Sequence, residues 1–90
     1  MILFEIAETK NFQKIKAKLE PKLYQKILNN VYPQIRSNPF YGTNIKKLKG
    51  EFEGYCRYKV GDYRLFYIIE NEKILVIVTD FRHRQSSYDS

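Results

Sequence analysis

The side chains that could do chemistry in this 90-residue sequence are mainly cations, and they gather in its second half. Arg57, Lys59 and Arg64 lie in two strand-like runs on either side of Gly61-Asp62. Clustered cations hold phosphate oxygens and stabilise negative charge that develops on a phosphate during a reaction. These residues therefore indicate a site for a phosphate-bearing ligand.

One further side chain could move protons near these cations. His83 is the only histidine, and imidazole exchanges protons near neutral pH. A surface or packing role beside Arg84 is the alternative for this residue.

The overall charge agrees with an anionic ligand. Sixteen Lys and Arg residues against ten Asp and Glu residues give a formal charge of +6, which attracts polyanions such as nucleic acids. A merely soluble basic surface is the open alternative on charge alone. Hydrophobic residues make up 43% of the chain, so we expect one folded domain spanning residues 1–90 rather than a disordered segment.

The composition also argues against several classes of site. One cysteine and one histidine can form neither a disulfide nor a Cys/His zinc site, and no glycine-rich phosphate loop precedes a helix. We therefore expect no metal and no small-molecule cofactor. No apolar run approaches the roughly 18 residues that span a bilayer, and no export signal is recognisable, so we expect a cytoplasmic protein without a membrane partner.

The elements that must position the cations follow from hydrophobic periodicity and turn residues. Helical spacing predicts a first helix over 8–19 and a second that begins at Pro21, with Pro33 expected to kink or shorten the second. One apolar face of the second helix is marked by Leu23, Ile27, Val31 and Ile35. The predicted strands cover 2–6, 55–60, 63–69 and 74–79, and 37–42 is expected to form a loop. The fold class is thus α+β: an N-terminal strand, two helices and a three-stranded antiparallel meander.

The Gly61-Asp62 pair predicts a tight hairpin, and this turn fixes the pairing of the two strands beside it. Lys59 should face Arg64 directly, with Arg57 one diagonal away, on the sheet face that points away from the helices. Like charges placed opposite each other are unfavourable, so a sequence selected only for folding would avoid them. A solvated basic face is the alternative. We expect Arg64 to be an exposed strand charge.

The following turn and the residues around it complete the predicted face. If Asn71 and Glu72 form that turn, Arg64 lies opposite Thr79, and an uncovered apolar floor adjoins the cations. Phe66, Ile68 and Ile77 would form this floor. Because side chains alternate along a strand, Asp80 would then lie on the helix side of the sheet. Lys46, Lys47 and Lys49 form a basic stretch before the hairpin that could follow RNA phosphates or be a solvated loop.

The run from Gly54 to Tyr67, with its basic strand, Gly-Asp turn and Tyr-Arg pair, resembles the central hairpin of the RelE/ParE toxin superfamily. Asn38-Pro39, the stretch Lys47 to Gly50, and His83-Arg84 followed by Tyr88 resemble flanking elements of that family. The resemblance implies a toxin of a toxin–antitoxin pair, with a cognate antitoxin as partner. RelE-like members cleave mRNA on the ribosome, whereas ParE-like members inhibit DNA gyrase and are not nucleases.

The resemblance also assigns roles to residues of this sequence. The catalytic cations would be Arg57, Lys59, Arg64 and Arg84, with Tyr88 as acid or base if these cations lower the pKa of its phenol. The choice between Tyr88 and His83 for proton transfer stays open. This set favours a ribosome-dependent mRNA endoribonuclease that needs no metal, and a ParE-like gyrase inhibitor is the alternative. Arg57 stands where the family commonly has Lys, and the spacing from Arg84 to Tyr88 is short for the family.

Overall fold

The chain folds into a five-stranded sheet with helices packed on one face, in a computed structural model that describes residues 2–84. Its elements in chain order are β1 (Glu5–Glu8), α1 (Lys10–Lys16), α2 (Pro21–Lys26), a π-helical turn (Ile27–Val31), α3 (Tyr32–Ser37), β2 (Ile45–Lys47), a 3₁₀ turn (Gly50–Phe52), β3 (Tyr55–Val60), β4 (Tyr63–Glu70), a second 3₁₀ turn (Asn71–Lys73) and β5 (Leu75–His83). This is the predicted α+β fold class.

The sheet contains the predicted meander and two edge strands. The strand order is β1-β5-β4-β3-β2, in which β3, β4 and β5 are antiparallel neighbours as expected. β1 pairs in parallel with β5, and β2 pairs antiparallel with β3. β2 was not predicted, because three residues, Ile-Lys-Lys, carry no alternating pattern of their own and become a strand only against β3.

The first strand and helix are both shorter than predicted. β1 covers Glu5–Glu8 rather than 2–6, because its register is set by pairing with β5. Thr9 then ends the strand and caps α1: its hydroxyl accepts a hydrogen bond of 3.1 Å from the backbone N–H of Phe12. Phe12 is fully buried and anchors α1 on the sheet.

The second helical stretch runs without interruption from α2 through the π-helical turn to α3. Pro33 lacks an N–H, and in a regular α-helix its ring would crowd the carbonyl four residues earlier. The preceding π turn, in which the N–H of Tyr32 donates to the carbonyl of Ile27, inserts one residue at this point. Pro33 therefore changes the hydrogen-bond pattern, and the stretch continues to Ser37. As expected, Ile27 and Ile35 lie on its buried face.

The hairpin between β3 and β4 has the predicted register. Lys59 pairs with Arg64, and Gly61, in the turn, has a φ of 57°, a conformation that favours glycine. Along β3 the side chains of Cys56, Tyr58 and Val60 are buried, which confirms the predicted helix-facing side. The remaining residues of β3 therefore lie on the opposite face of the sheet, here called the outer face.

The connection between β4 and β5 differs from the prediction. Four residues separate the paired Glu70 and Leu75, where a two-residue turn had been expected, so Ile68 pairs with Ile77. Beyond this point β5 contains one extra residue, Thr79, in a bulge that shifts the register again. Arg64 consequently pairs with Arg82 rather than with Thr79.

The core lies between the helices and the sheet. Its fully buried members come from both layers and include Phe12, Ile35, Leu65, Tyr67 and Val76. Within residues 2–84, no helix has the length and apolar character needed to cross a membrane.

Candidate functional site

Three cations lie side by side across the outer face, on three neighbouring strands. Lys59 of β3 pairs with Arg64 of β4, which in turn pairs with Arg82 of β5. These three residues are called the cation row below. In the next row Lys46 of β2 pairs with Arg57 of β3. A sheet selected for stability alone would place opposite charges at such positions, so the arrangement has the character of an anion site.

Arg64 lies on the predicted face but is not an exposed charge. Only 6% of the residue is exposed, and its Nη1 atom donates hydrogen bonds of 3.0 Å to the carbonyl oxygens of Gly61 and Tyr63. The expectation of an exposed strand charge is therefore wrong, because the side chain folds back onto the hairpin turn. Arg64 thus stabilises the turn as well as adding positive charge to the cation row.

Arg57 and Lys59 lie at the β2 side of this face. Arg57 is half-buried, and its Nη1 donates to the carbonyl of Asn44 over 3.0 Å. The same carbonyl accepts a 2.9 Å hydrogen bond from the backbone N–H of Lys59, whose side chain is exposed. The segment before β2 therefore orients one of the two cations and leaves the other at the surface.

Arg82 was not predicted as a site residue, and the predicted face of Asp80 is wrong. Asp80 pairs with Phe66 and so lies on the outer face, because the bulge at Thr79 reverses the parity of β5. The Arg82 Nε donates to Asp80 Oδ2 over 2.7 Å, and Asp80 Oδ1 accepts from the backbone N–H of Phe81 over 2.9 Å. The only sequence signal for Arg82 was its place two residues before Arg84, which gives it the same parity.

His83 and Arg84 are the last two residues that the structure describes, and of the two only His83 belongs to β5. The Arg84 N–H donates to the carbonyl of Asp62 over 2.7 Å, and its guanidinium lies 3.8 Å from the Asp62 carboxylate, both side chains being largely exposed. His83 pairs with Tyr63 and meets its ring edge-on at 5.3 Å, on the helix side. The strand thus separates His83 from the cation row. Tyr88, the other proton-transfer candidate, lies outside the described residues.

The predicted basic stretch does not form one surface. Lys46 lies opposite Arg57 on the outer face, whereas Lys47 lies opposite Cys56. The ammonium group of Lys47 is 5.7 Å and 5.4 Å from the ring centres of Phe40 and Tyr41. Lys49 is exposed just before the first 3₁₀ turn.

A cleft of about 460 Å³ adjoins the cation row on the outer face. It is lined by Thr9, Asn11, Glu51, Phe52, Tyr55, Phe66, Thr79, Asp80 and Arg82. An uncovered apolar floor of Phe66, Ile68 and Ile77 was predicted. Phe66 is only 6% exposed, so the prediction is wrong for this residue, while Ile68 and Ile77 are partly buried. The cleft also has polar lining residues, which the sequence did not indicate. Among residues 2–84 no three His, Cys, Asp or Glu side chains are grouped as metal ligands would be.

Several solved structures share this fold at low sequence identity. The RelBE2 toxin–antitoxin complex of Mycobacterium tuberculosis matches with a TM-score of 0.82 and 23% identity, covering 92% of this chain and 100% of the other. The RelE–RelB complex of Pyrococcus horikoshii matches at 0.77 and 19%, covering 96% and 100%. The isolated RelE toxin of E. coli matches at 0.74 and 21%, covering 94% and 88%. These likenesses establish a common fold.

The family is established by sequence. No curated protein matches the chain significantly. The family model described as the ParE toxin of the parDE type II toxin–antitoxin system, however, matches residues 6–88. This range includes all of the sheet except Glu5, together with the cation row and the cleft. The chain therefore belongs to the ParE toxin family, within the RelE/ParE superfamily, and is a toxin of a type II toxin–antitoxin system.

Proposed function

We propose that this toxin is a ribosome-dependent mRNA endoribonuclease. The observation that carries the proposal is the cation row, Lys59, Arg64 and Arg82, which crosses three strands on one face. Three adjacent positive charges repel one another, and the carboxylate of Asp80 offsets one of the three. A phosphate of a bound RNA strand is the anion that these side chains suit best.

The cleavage step needs only the RNA and side chains of this protein. The ribose 2′-oxygen attacks the adjacent phosphorus while its proton passes to a base, and the bond from phosphorus to the 5′-oxygen breaks as that oxygen is protonated. The products are a 2′,3′-cyclic phosphate and a 5′-hydroxyl. Arg82 and Lys59 would stabilise the charge on the phosphorane, with Arg64 between them in the cation row, Arg57 in the neighbouring row and Arg84 near the hairpin turn.

We assign proton transfer to Tyr88 rather than to His83. The ring of His83 packs against Tyr63 on the helix side of the sheet, away from the phosphate that the cation row would hold. Tyr88 follows Arg84 by four residues. A Tyr88→Phe variant should therefore lose activity, whereas His83→Gln should retain it.

The test is to incubate purified toxin with ribosomes that carry a defined mRNA and to map the new RNA ends. Cleavage should require the ribosome and should leave cyclic phosphate ends. It should be unchanged by a chelator of transition metals that leaves the Mg²⁺ of the ribosome in place. Intact mRNA in the presence of active, folded toxin would reject the proposal.

A gyrase inhibitor is the second candidate, because the matching family model is described by the ParE toxin. The same preparation should be incubated with DNA gyrase and supercoiled plasmid. Trapped DNA breaks without mRNA cleavage would replace the first proposal with this one.

We also propose a cognate antitoxin as partner. Of the three solved structures described above, two are complexes of a RelE-type toxin with its antitoxin. With a charge of +6, this chain suits an antitoxin segment that carries net negative charge. Co-expression with the product of an adjacent short gene should give a stable complex and suppress toxicity.

A further inference from the structure

The outer-face cleft differs in chemistry from the cation row beside it. Three of its lining residues are aromatic, namely Phe52, Tyr55 and Phe66, while its polar rim includes two carboxylates, those of Glu51 and Asp80. Carboxylates repel a phosphate, so the cleft itself does not suit the RNA backbone. Aromatic walls with hydrogen-bonding groups at the edge instead suit a planar base.

From this arrangement we infer that the cleft binds one base that flanks the scissile phosphate, and that Asp80 and Asn11 read the edge of this base. The inference rests on the proposed ribonuclease function. Arg82 lines the cleft and also belongs to the cation row, so the two sites are continuous. A nucleotide whose phosphate lies on the cation row can therefore place its base in the cleft.

Tyr55 is the aromatic residue placed to stack on this base. It is 36% exposed, whereas Phe66 is 6% exposed and forms the floor of the cleft. Stacking on an aromatic ring holds any base, because every base has a π-face. Tyr55 therefore contributes affinity without discriminating between bases.

Asp80 is placed to discriminate. Each of its oxygens already accepts one hydrogen bond, from Arg82 Nε and from the N–H of Phe81. An ionised carboxylate has about four acceptor positions, so about two remain for a ligand. The side chain is 19% exposed, which leaves it in reach of the cleft. It can only accept, and it favours a base with an exocyclic amino group over uracil. The one Watson–Crick donor of uracil, N3–H, lies between two carbonyl oxygens that a carboxylate repels.

Asn11 is held in a fixed orientation at the other wall of the cleft. Its Nδ2 donates a hydrogen bond of 2.9 Å to the carbonyl of Thr79, the bulge residue of β5. This bond fixes which end of the amide is the donor and which is the acceptor. Asn11 and Asp80 are thus brought together by the bulge, although 69 positions separate them in the sequence.

The experiment is to map mRNA ends at nucleotide resolution for the ribosome-bound toxin on a message that presents all four bases at each position. The wild-type toxin should show depletion of uracil at one position next to the cut. The Asp80→Asn variant should reduce this discrimination about five-fold or more, because one acceptor oxygen becomes an NH₂ donor that can bind a carbonyl of uracil. The matched control is Glu72→Gln, which removes the same charge from the distant turn between β4 and β5.

A second pair of variants separates stacking from discrimination. Tyr55→Ala should lower cutting at all sites to a similar extent, whereas Tyr41→Ala, at another exposed tyrosine outside the cleft, should not. If the wild type cuts but Asp80→Asn keeps the wild-type base pattern, this inference is wrong and the ribonuclease proposal stands. If Asp80→Asn instead weakens only antitoxin binding, the cleft is a protein-binding site. If the wild type cuts no RNA, both proposals fail.

Discussion

At the scale of single residues, Arg64 has two roles that can be measured separately. Its guanidinium donates to the carbonyls of Gly61 and Tyr63 from an almost fully buried position. Arg64→Ala should therefore lower the free energy of unfolding by about 1–3 kcal/mol, the usual cost of leaving buried polar groups without a partner. Urea unfolding measures this change.

The control for this prediction is the paired residue on β3. Lys59→Ala removes the same charge from an exposed position and should change stability by less than about 0.5 kcal/mol. Equal destabilisation by both variants would contradict the role of Arg64 in the turn.

Arg82 tests the catalytic role of the cation row more directly than Arg64 does. Its side chain is half exposed, so its loss should leave the fold intact. Arg82→Ala should lower single-turnover cleavage of ribosome-bound mRNA by about 10²–10³, the effect of removing one charge-stabilising donor. Lys73→Ala, which removes an exposed cation from the turn before β5, should have no such effect. Unchanged cleavage by Arg82→Ala would exclude the cation row as the catalytic centre.

At the scale of elements, Glu8 joins the end of β1 to both helical stretches. Its carboxylate accepts hydrogen bonds of 3.0 Å from Lys16 Nζ, 2.9 Å from the Tyr24 hydroxyl and 2.8 Å from the Tyr32 hydroxyl. Burial raises the pKa of the Glu8 carboxyl, but these three hydrogen bonds lower it more, so the net pKa is below the ordinary value. The ionised form is therefore the one that stabilises the folded protein.

The sign of the pH dependence follows from this depressed pKa. The stabilisation is present above the unfolded-state pKa of a glutamate, about 4.3, and is lost as the pH falls through the lower folded-state pKa. Glu8→Gln should lower the free energy of unfolding by about 1–3 kcal/mol near neutral pH and flatten its decline in acid. Urea unfolding at several pH values tests this. The control is Glu5→Gln, which removes a carboxylate from an exposed position on the same strand and should change the free energy of unfolding by less than about 0.5 kcal/mol.

At the scale of the whole molecule, the position of a charge should matter more than the net charge. Binding of a positively charged protein to RNA weakens as salt rises, with a slope set by the number of phosphates contacted. Lys46→Glu on the outer face and Lys22→Glu on α2 change the net charge equally. Only Lys46→Glu should reduce the slope, by about one phosphate contact, in a fluorescence titration with single-stranded RNA. Equal slopes would show that the outer face is not the RNA surface.

The amino-acid sequence by itself determined the elements whose signals are local. The Gly61-Asp62 turn and the alternation along β3 were sufficient to pair Lys59 with Arg64 correctly, because a two-residue turn leaves only one register. The buried face of the second helical stretch followed from its spacing in the same way. The α+β class and the meander could be predicted because they follow from the order of these locally determined strands and helices.

Only the tertiary structure decided the features that depend on pairing between distant segments. The longer turn before β5 and the bulge at Thr79 placed Arg82 opposite Arg64 and turned Asp80 to the outer face. Neither feature could be predicted from the sequence, because the first four residues of β5 are all apolar and show no alternation that would fix its register. β2, the burial of Arg64 and the cleft likewise arise from contacts across the sheet. A single inserted residue reverses the face of every side chain beyond it, which is why the sequence predicted the cations on β3 and β4 but not their partner on β5.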